Sequence, residues 1–170
     1  GRAVSRQDIS LVLLQRPPGA VAEGQFLASC TRCGDCVTAC PPRAIRWAPP
    51  EAGEKRAGTP FIDPIRQPCV MCTDTPCITV CEPGVLRFEL PRTMARASVD
   101  KLACLAWRGQ PCRLCVDQCP MDGAIELDEA NRPAINSEAC TGCGVCVQVC
   151  PAPRNAINHR PLSNRPFWRG

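Results

Sequence analysis

The sequence predicts a loop-rich α+β fold in which short β-hairpins and short helices wrap around bound groups rather than a large organic core. Three observations carry this. Sixteen cysteines in 170 residues fall into four groups with none left over. Nineteen prolines and twelve glycines keep every element short and punctuate the chain with turns. The apolar fraction of 45% drops to about 35% once cysteine is set aside, with four Phe, three Trp and no Tyr, so side-chain burial is a thin source of stability.

The four groups read as an internal repeat. Motif I is Cys30, Cys33, Cys36 and Cys40, followed by Pro41. Motif II is Cys69, Cys72, Cys77 and Cys81, followed by Glu82 and Pro83. Motif III is Cys104, Cys112, Cys115 and Cys119, followed by Pro120. Motif IV is Cys140, Cys143, Cys146 and Cys150, followed by Pro151. After each group comes a short apolar stretch ("AIRW", "GVLRFEL", "GAIEL", "NAIN"), and before the last three lie "PFIDP", "ASVD" and "PAIN". Each reads as a short strand bounded by turn formers. Motif I departs from the scheme: "GAVAEGQFLAS" before Cys30 reads as helix, so its strand is missing or comes from elsewhere.

Three sulfur chemistries compete. Disulfides would spread cysteines to close long loops, and cysteines two apart in a tight loop rarely reach bridging geometry. Structural zinc takes two spaced C-x2-C pairs. The run "CTRCGDCVTACP" has successive gaps of two, two and three before a proline. That is the spacing of a loop wrapping a [4Fe–4S] cubane, with the cysteine before proline crossing to a neighbouring cluster. All sixteen cysteines are therefore candidate ligands of four [4Fe–4S] clusters. Gly34 and Gly144 are expected to let backbone N–H groups approach sulfur. Val37, Val70, Ile78, Val116 and Val147 are expected to shield the clusters, with ordinary loop packing as the alternative.

The pairing of motifs has two readings. Motifs I and IV share the regular spacing while II and III are expanded, which favours a nested arrangement, I with IV and II with III. Hairpin-like links between I and II and between III and IV support sequential pairing instead. The chain divides into an arm (1–29), a four-cluster region (30–158) and a docking tail (159–170).

Charge and motif content narrow the function. The formal charge of +4 moves to about −4 if four thiolate-ligated clusters each bring roughly −2, so it is no evidence for nucleic acid. No run is long and apolar enough to span a membrane. The most apolar stretch is "ISLVLL", Ile9 to Leu14, expected to be a buried strand or docking segment. No nucleophile–base pair or phosphate loop can be read, and the single histidine, His159, is expected to be a solvated tail residue. An electron-transfer protein without its own catalytic site fits best; an enzyme subunit completed at a partner interface is the weaker reading. Trp47 and Trp107 lie near cluster loops and are expected to pack over them. In "NHRPLSNRPFWRG", Arg160, Arg165, Arg169, Phe167 and Trp168 read either as a disordered end or as a strap that orders against a partner. "RPPGA" (16–20) reads as an extended arm or a linker.

Beyond these local features, "RPPGAVAEGQFLASCTRCGDCVTACP", "GTPFIDPIRQPCVMCTDTPC" and "CLAWRGQPCRLCVDQCP" resemble the NapG and MauM ferredoxin-type proteins, which are polyferredoxins. The similarity covers about residues 16 to 158 and includes the unusual gaps of four and seven. It implies two bacterial-ferredoxin-like modules. It also implies a relay of single electrons between a membrane quinol-oxidising ferredoxin-type partner and a periplasmic redox system. The alternative it implies is a maturation factor supplying electrons for assembly of a periplasmic redox enzyme such as a methylamine dehydrogenase. A periplasmic location, held near the membrane through the partner, follows from the resemblance; a cytoplasmic one is the alternative. The chain begins at Gly1 rather than Met, so an N-terminal piece, such as an export signal, is expected to have been removed or left out. Glu82 stands where the other motifs have proline, which bears on the shape of that loop and not on its sulfur.

Overall fold

The computed structural model describes residues 13–170. Ile9 to Val12 of the "ISLVLL" stretch lie outside the described residues. The elements are short, as the proline and glycine content requires. Helices α1 (Glu23–Ser29), α2 (Asp35–Ala39), α3 (Pro76–Thr79), α4 (Leu114–Asp117) and α5 (Val145–Val149) alternate with strands β1 (Ile45–Trp47), β2 (Pro60–Ile62), β3 (Ala95–Val99), β4 (Ile125–Leu127), β5 (Pro133–Ile135) and β6 (Ile157–Pro161).

One pattern is built twice. In the second half, β4 and β5 form the antiparallel hairpin linking motifs III and IV, with Ile125 opposite Ile135. The strand before motif III, β3, pairs with the strand after motif IV, β6, with Val99 opposite Ile157. In the first half, β1 and β2 form the equivalent hairpin, Ile45 opposite Ile62. The strand missing before motif I is supplied by the arm itself. Ala20 bridges Leu86, Val21 donates its N–H to the Val85 carbonyl (3.0 Å) and Arg87 donates to Gly19 (2.8 Å). Gly19 is needed there: its φ is +74°, and a Cβ would sit 2.3 Å from the Arg87 carbonyl oxygen.

"GVLRFEL" does not become a strand beyond that one bridge. The Leu86 N–H is turned onto the Cys81 sulfur at 3.4 Å, and Gly84 sits in the left-handed region. The ladder to the arm stops after Arg87, where the chain turns at Phe88 and Glu89.

The apolar core is larger in the first half, where Val21, Phe26, Ile45, Ile62, Ile78, Leu86 and Met94 pack with several cysteines. The second half has two groups of four buried residues each. These small cores contain cysteine as a structural component, consistent with the thin apolar composition.

Two segments that the sequence left open are integral to the fold. Arg16 of "RPPGA" is fully buried. Its guanidinium donates to Thr59 Oγ1 and to the Pro60 carbonyl, both at 2.8 Å, lies 4.5 Å from the Phe26 ring centre and pairs with Glu23 at 2.6 Å. The C-terminal tail crosses back to the first half. Arg165 reaches the same carboxylate at 2.7 Å, Gln25 and Trp168 exchange hydrogen bonds, and Arg87 stacks over the Trp168 ring. The expectation of a tail held out for a partner is thereby corrected: 159–170 begins within β6, and Trp168 and Arg165 are spent on the chain's own helix α1. Phe167 alone among its large apolar residues is strongly exposed.

Glu23 is thus the acceptor for two nearly buried cations. Burial by itself would raise its pKa, but the hydrogen bond and charge of Arg16, with those of Arg165, outweigh it and hold the carboxyl below its ordinary value of 4.5. A group with a lowered folded-state pKa contributes stability above the unfolded value that is lost as pH falls through the folded one. Glu23→Gln should cost about 3 kcal/mol at neutral pH, the figure for breaking a buried ion pair from one side. The gap between variant and native protein should shrink below pH 4.5, as measured by anaerobic denaturant unfolding of both.

Candidate functional site

Each helix of five or fewer residues carries the third cysteine of its motif: Cys36 on α2, Cys77 on α3, Cys115 on α4 and Cys146 on α5. The first two cysteines lie in the preceding loop and the fourth lies just beyond the helix in motifs I and IV, where it is the C-cap residue. Helices α2 and α3 pack side by side, as do α4 and α5. That packing delivers each fourth cysteine to the neighbouring loop.

The cysteines gather accordingly. Cys30, Cys33 and Cys36 line one cavity with Cys81; Cys69, Cys72 and Cys77 line a second with Cys40; Cys112 and Cys115 line a third with Cys104 and Cys150. The three have similar empty space, about 330, 360 and 360 Å³, and otherwise mostly apolar walls. The remaining four are electrostatic neighbours: Cys146 of Cys143, Cys140 and Cys119, with Cys115 of the third cavity also nearby, and Cys119 of both Cys140 and Cys143. The nested pairing expected from motif spacing is corrected by this geometry. Motif I shares its sulfurs with II, and motif III with IV. The physical reason is that the hairpins β1–β2 and β4–β5 hold consecutive motifs side by side, and spacing within a loop does not control which loops become neighbours.

The groups suit a cluster better than the rival chemistries. All sixteen cysteines are free thiols. Among the described residues no three His, Cys, Asp or Glu side chains converge on a single-ion position, whereas four thiolates around one zinc would lie about 3.8 Å apart. A wider cup fits a larger object. Burial, followed by the charge of neighbouring thiols, pushes Cys36, Cys69 and Cys146 up to about 12 and Cys77 and Cys115 up to about 11. For Cys69 and Cys77 backbone hydrogen bonds work against the rise. Burial and crowding thus keep these groups as neutral thiols unless a positively charged guest favours the thiolate form.

Backbone N–H groups donate to sulfur where the loops of motifs I, II and IV leave their cups: Ala44 to Cys40 at 3.3 Å, Leu86 to Cys81 at 3.4 Å and Ala156 to Cys150 at 3.3 Å, with Met71 to Cys69 at 3.4 Å. Donors of this kind stabilise the more negative, reduced state of a sulfur-bound centre. Next to Gly144 the Val145 backbone hydrogen-bonds with the Cys143 sulfur, and close packing adds a second demand on Gly34 and Gly144. Both start a helix at positive φ, and an added Cβ would stand 2.6 Å from Trp47 Cζ2 and 2.2 Å from Pro64 Cβ respectively.

The expected apolar shield is partly present. Ile78 and Val147 are buried and Val37 and Val116 pack against buried cores, but Val70 is exposed and Met71 lines the cup in its place. Trp47 lies against the Gly34 loop with 44% of its surface exposed. Trp107 donates to the Pro133 carbonyl and is flanked by Lys101 and Arg132. His159 is not a solvated tail residue: on β6, its Nε2 lies 3.0 Å from the Gly142 carbonyl, inside the motif IV loop, and burial lowers its pKa against the opposing effect of that hydrogen bond. The residue that sequence reasoning missed is Gln15, buried at 2%, whose Nε2 donates to the same carbonyl at 3.1 Å. No sequence motif marks it.

With the geometry in place, the comparisons identify its class. The family described as "4Fe-4S dicluster domain" matches residues 29–107 and 110–153. The chain is 40% identical over 164 residues to the ferredoxin-type protein NapG of Escherichia coli (strain K12), covering 87% of this chain and 71% of that protein. It is 40% identical over 160 residues to the methylamine utilization ferredoxin-type protein MauM of Methylorubrum extorquens, covering 86% and 72%. MauM of Paracoccus denitrificans is 38% identical over 159 residues, covering 86% and 70%. The chain belongs to the NapG/MauM ferredoxin-type proteins with 4Fe-4S dicluster domains. Iron–sulfur electron transfer is the role this supports.

Replacement of single cysteines checks the pairing. Cys40→Ala should alter the same EPR signal as Cys69→Ala, and Cys140→Ala a different one. A match between Cys40→Ala and Cys140→Ala would restore the nested order.

Proposed function

We propose that the sixteen cysteines hold four [4Fe–4S] clusters and that the protein relays single electrons through them, with no substrate chemistry of its own. The observation carrying this reading is the gathering of twelve cysteines into three cavities of four, each completed by a cysteine from the neighbouring motif, with the last four as electrostatic neighbours. When bound, such a cluster supplies a one-electron couple without making or breaking a bond to the protein. What the chain's residues contribute is ligation, a mostly apolar wall that limits water, and N–H donors on sulfur that set how readily each site is reduced.

The two halves reach the surface at opposite motifs. Cys33 of the first cup is exposed. Cys112 of the third lies in the wall of an open concavity formed with Leu105, Pro111, Leu114, Leu127 and Pro151. The seven-residue gap in motif III, Leu105 to Pro111, builds much of that concavity. A donor and an acceptor thus have separate places to approach sulfur-bound centres.

Similarity to NapG supports a membrane quinol-oxidising ferredoxin-type protein as donor, with a periplasmic redox system as acceptor. Among the described residues no helix is long and apolar enough to cross a membrane, and the same reading has the protein meet the membrane through that partner. The second reading rests on the equal similarity to MauM: a maturation factor whose electrons serve assembly of a periplasmic redox enzyme such as a methylamine dehydrogenase. In cells lacking the protein, a target enzyme that is cofactor-complete but unreduced marks the relay; a cofactor-deficient one marks maturation.

Anaerobically purified protein should contain about sixteen irons and as much sulfide per chain. Dithionite should develop EPR signals of reduced clusters. Iron near eight, or zinc in its place, would overturn the four-cluster reading.

A further inference from the structure

Apart from the C-terminal tail, the two halves meet at the motif IV loop. The Cys69 N–H donates to the Cys143 carbonyl at 3.3 Å, so a candidate ligand of the second cup is hydrogen-bonded through its backbone to a candidate ligand of the fourth. On either side, Gln15 from the arm donates to the Gly142 carbonyl, and Gln148 on α5 donates to the Arg66 carbonyl at 3.2 Å. The loop is pressed close. A Cβ on Gly144 would lie 2.2 Å from Pro64 Cβ, and one on Gly142 would lie 2.3 Å from the Ala95 carbonyl oxygen. Met94 ties the connector down by donating to Thr141 at 2.7 Å and accepting from Leu162 at 3.0 Å. The thiols of Cys69 and Cys143 are also electrostatic neighbours. No comparable link joins motif I or motif III to the other half among the described contacts.

From this contact we infer that the electron path crosses between the halves at Cys69–Cys143, so the four cups form one unbranched series. The order is Cys30/33/36/81, then Cys40/69/72/77, then Cys119/140/143/146, then Cys104/112/115/150. Gln15 is the positioning residue of the crossing. It is held by its own backbone, whose carbonyl accepts from the Ile62 N–H at 2.8 Å, and it fixes the Gly142 carbonyl together with His159. The order differs from the order of motifs along the chain: the third and fourth cups exchange places, which leaves the cup of motif III, and not that of motif IV, at the far end. One electron enters at one end from a reducing partner and one leaves at the other to an oxidising partner; no proton or bond changes hands at the crossing. The inference rests on the proposed four-cluster reading.

The test uses the full chain with two cups removed at a time. Replacing Cys30, Cys33, Cys104 and Cys112 with Ala removes the outer pair. Replacing Cys69, Cys72, Cys140 and Cys143 with Ala removes the inner pair. Each protein is reduced with dithionite, its iron counted and its EPR spectrum recorded. With the inner cups left, the spectrum should show splitting from interaction between the two reduced centres. With the outer cups left, that splitting should be lost. An unsplit inner pair, or a split outer pair, at about eight irons per chain overturns the order. Should either variant fail to hold its iron, amide exchange of the native oxidised holoprotein decides. Slow exchange in the peptides carrying Cys69 and Cys143, faster in both after Gln15→Leu, supports the crossing; rapid exchange at Cys69 in the native protein defeats it. Iron far below sixteen in the native protein sinks the four-cluster reading instead, so the two failures are told apart.

Discussion

The structure depends on one exchange: the last cysteine of motifs I, II and IV lines the cavity of the neighbouring motif, and that of motif III lies beside the motif IV cysteines. Cys40 and Cys81 trade places across α2 and α3, and Cys119 and Cys150 across α4 and α5. The exchange makes each pair of cups a single unit, because neither is complete without the other motif. It also explains how helices of four and five residues persist. Isolated segments that short have too little cooperativity to form in water. Here each helix is fastened by cysteines at or near its ends, and its apolar side chains cover the cup.

The same constraint organises the strands. Consecutive motifs must come alongside each other, and in both halves a three-residue hairpin performs that task. The outer strand pair then closes the unit, five residues long in the second half. In the first half it is reduced to one bridge with two flanking hydrogen bonds. What that half lacks in ladder it gains in an anchored arm. Arg16 and Arg165 share the Glu23 carboxylate, and the "RPPGA" segment and the C-terminal tail are joined there. Buried charge of this kind adds little net stability over apolar packing but strongly penalises any arrangement that leaves one partner unpaired. That penalty specifies the position of the arm and the tail.

The sequence was most legible where ligand chemistry is local. Within a loop such as "CTRCGDC" the gaps alone determine what size of object the sulfurs can surround, so the kind of bound group could be read directly. The hairpins and β3 were legible for a similar reason, since alternating apolar residues and flanking turn formers sit next to one another. The strand expected at "GVLRFEL" stops at one bridge because its partner is the short arm around Ala20 and the chain turns at Phe88 and Glu89, and no strand propensity contains the position of that partner. His159 and Gln15 were illegible because their partner, the Gly142 carbonyl, lies far along the chain from Gln15 and carries no side chain to signal it.

The sequence by itself determined the family, the sulfur inventory and the fourfold repeat, because these follow from residue type and short spacing. Tertiary structure decided which motifs share a cup, how the two halves touch, and that Arg16, Arg165 and Trp168 serve the fold. Those outcomes turn on strand pairing and hydrogen bonds between residues separated by up to 144 positions, as between Ala22 and Pro166. Equal spacing in motifs I and IV is a property of each loop alone, and it exerts no force that could bring the two together.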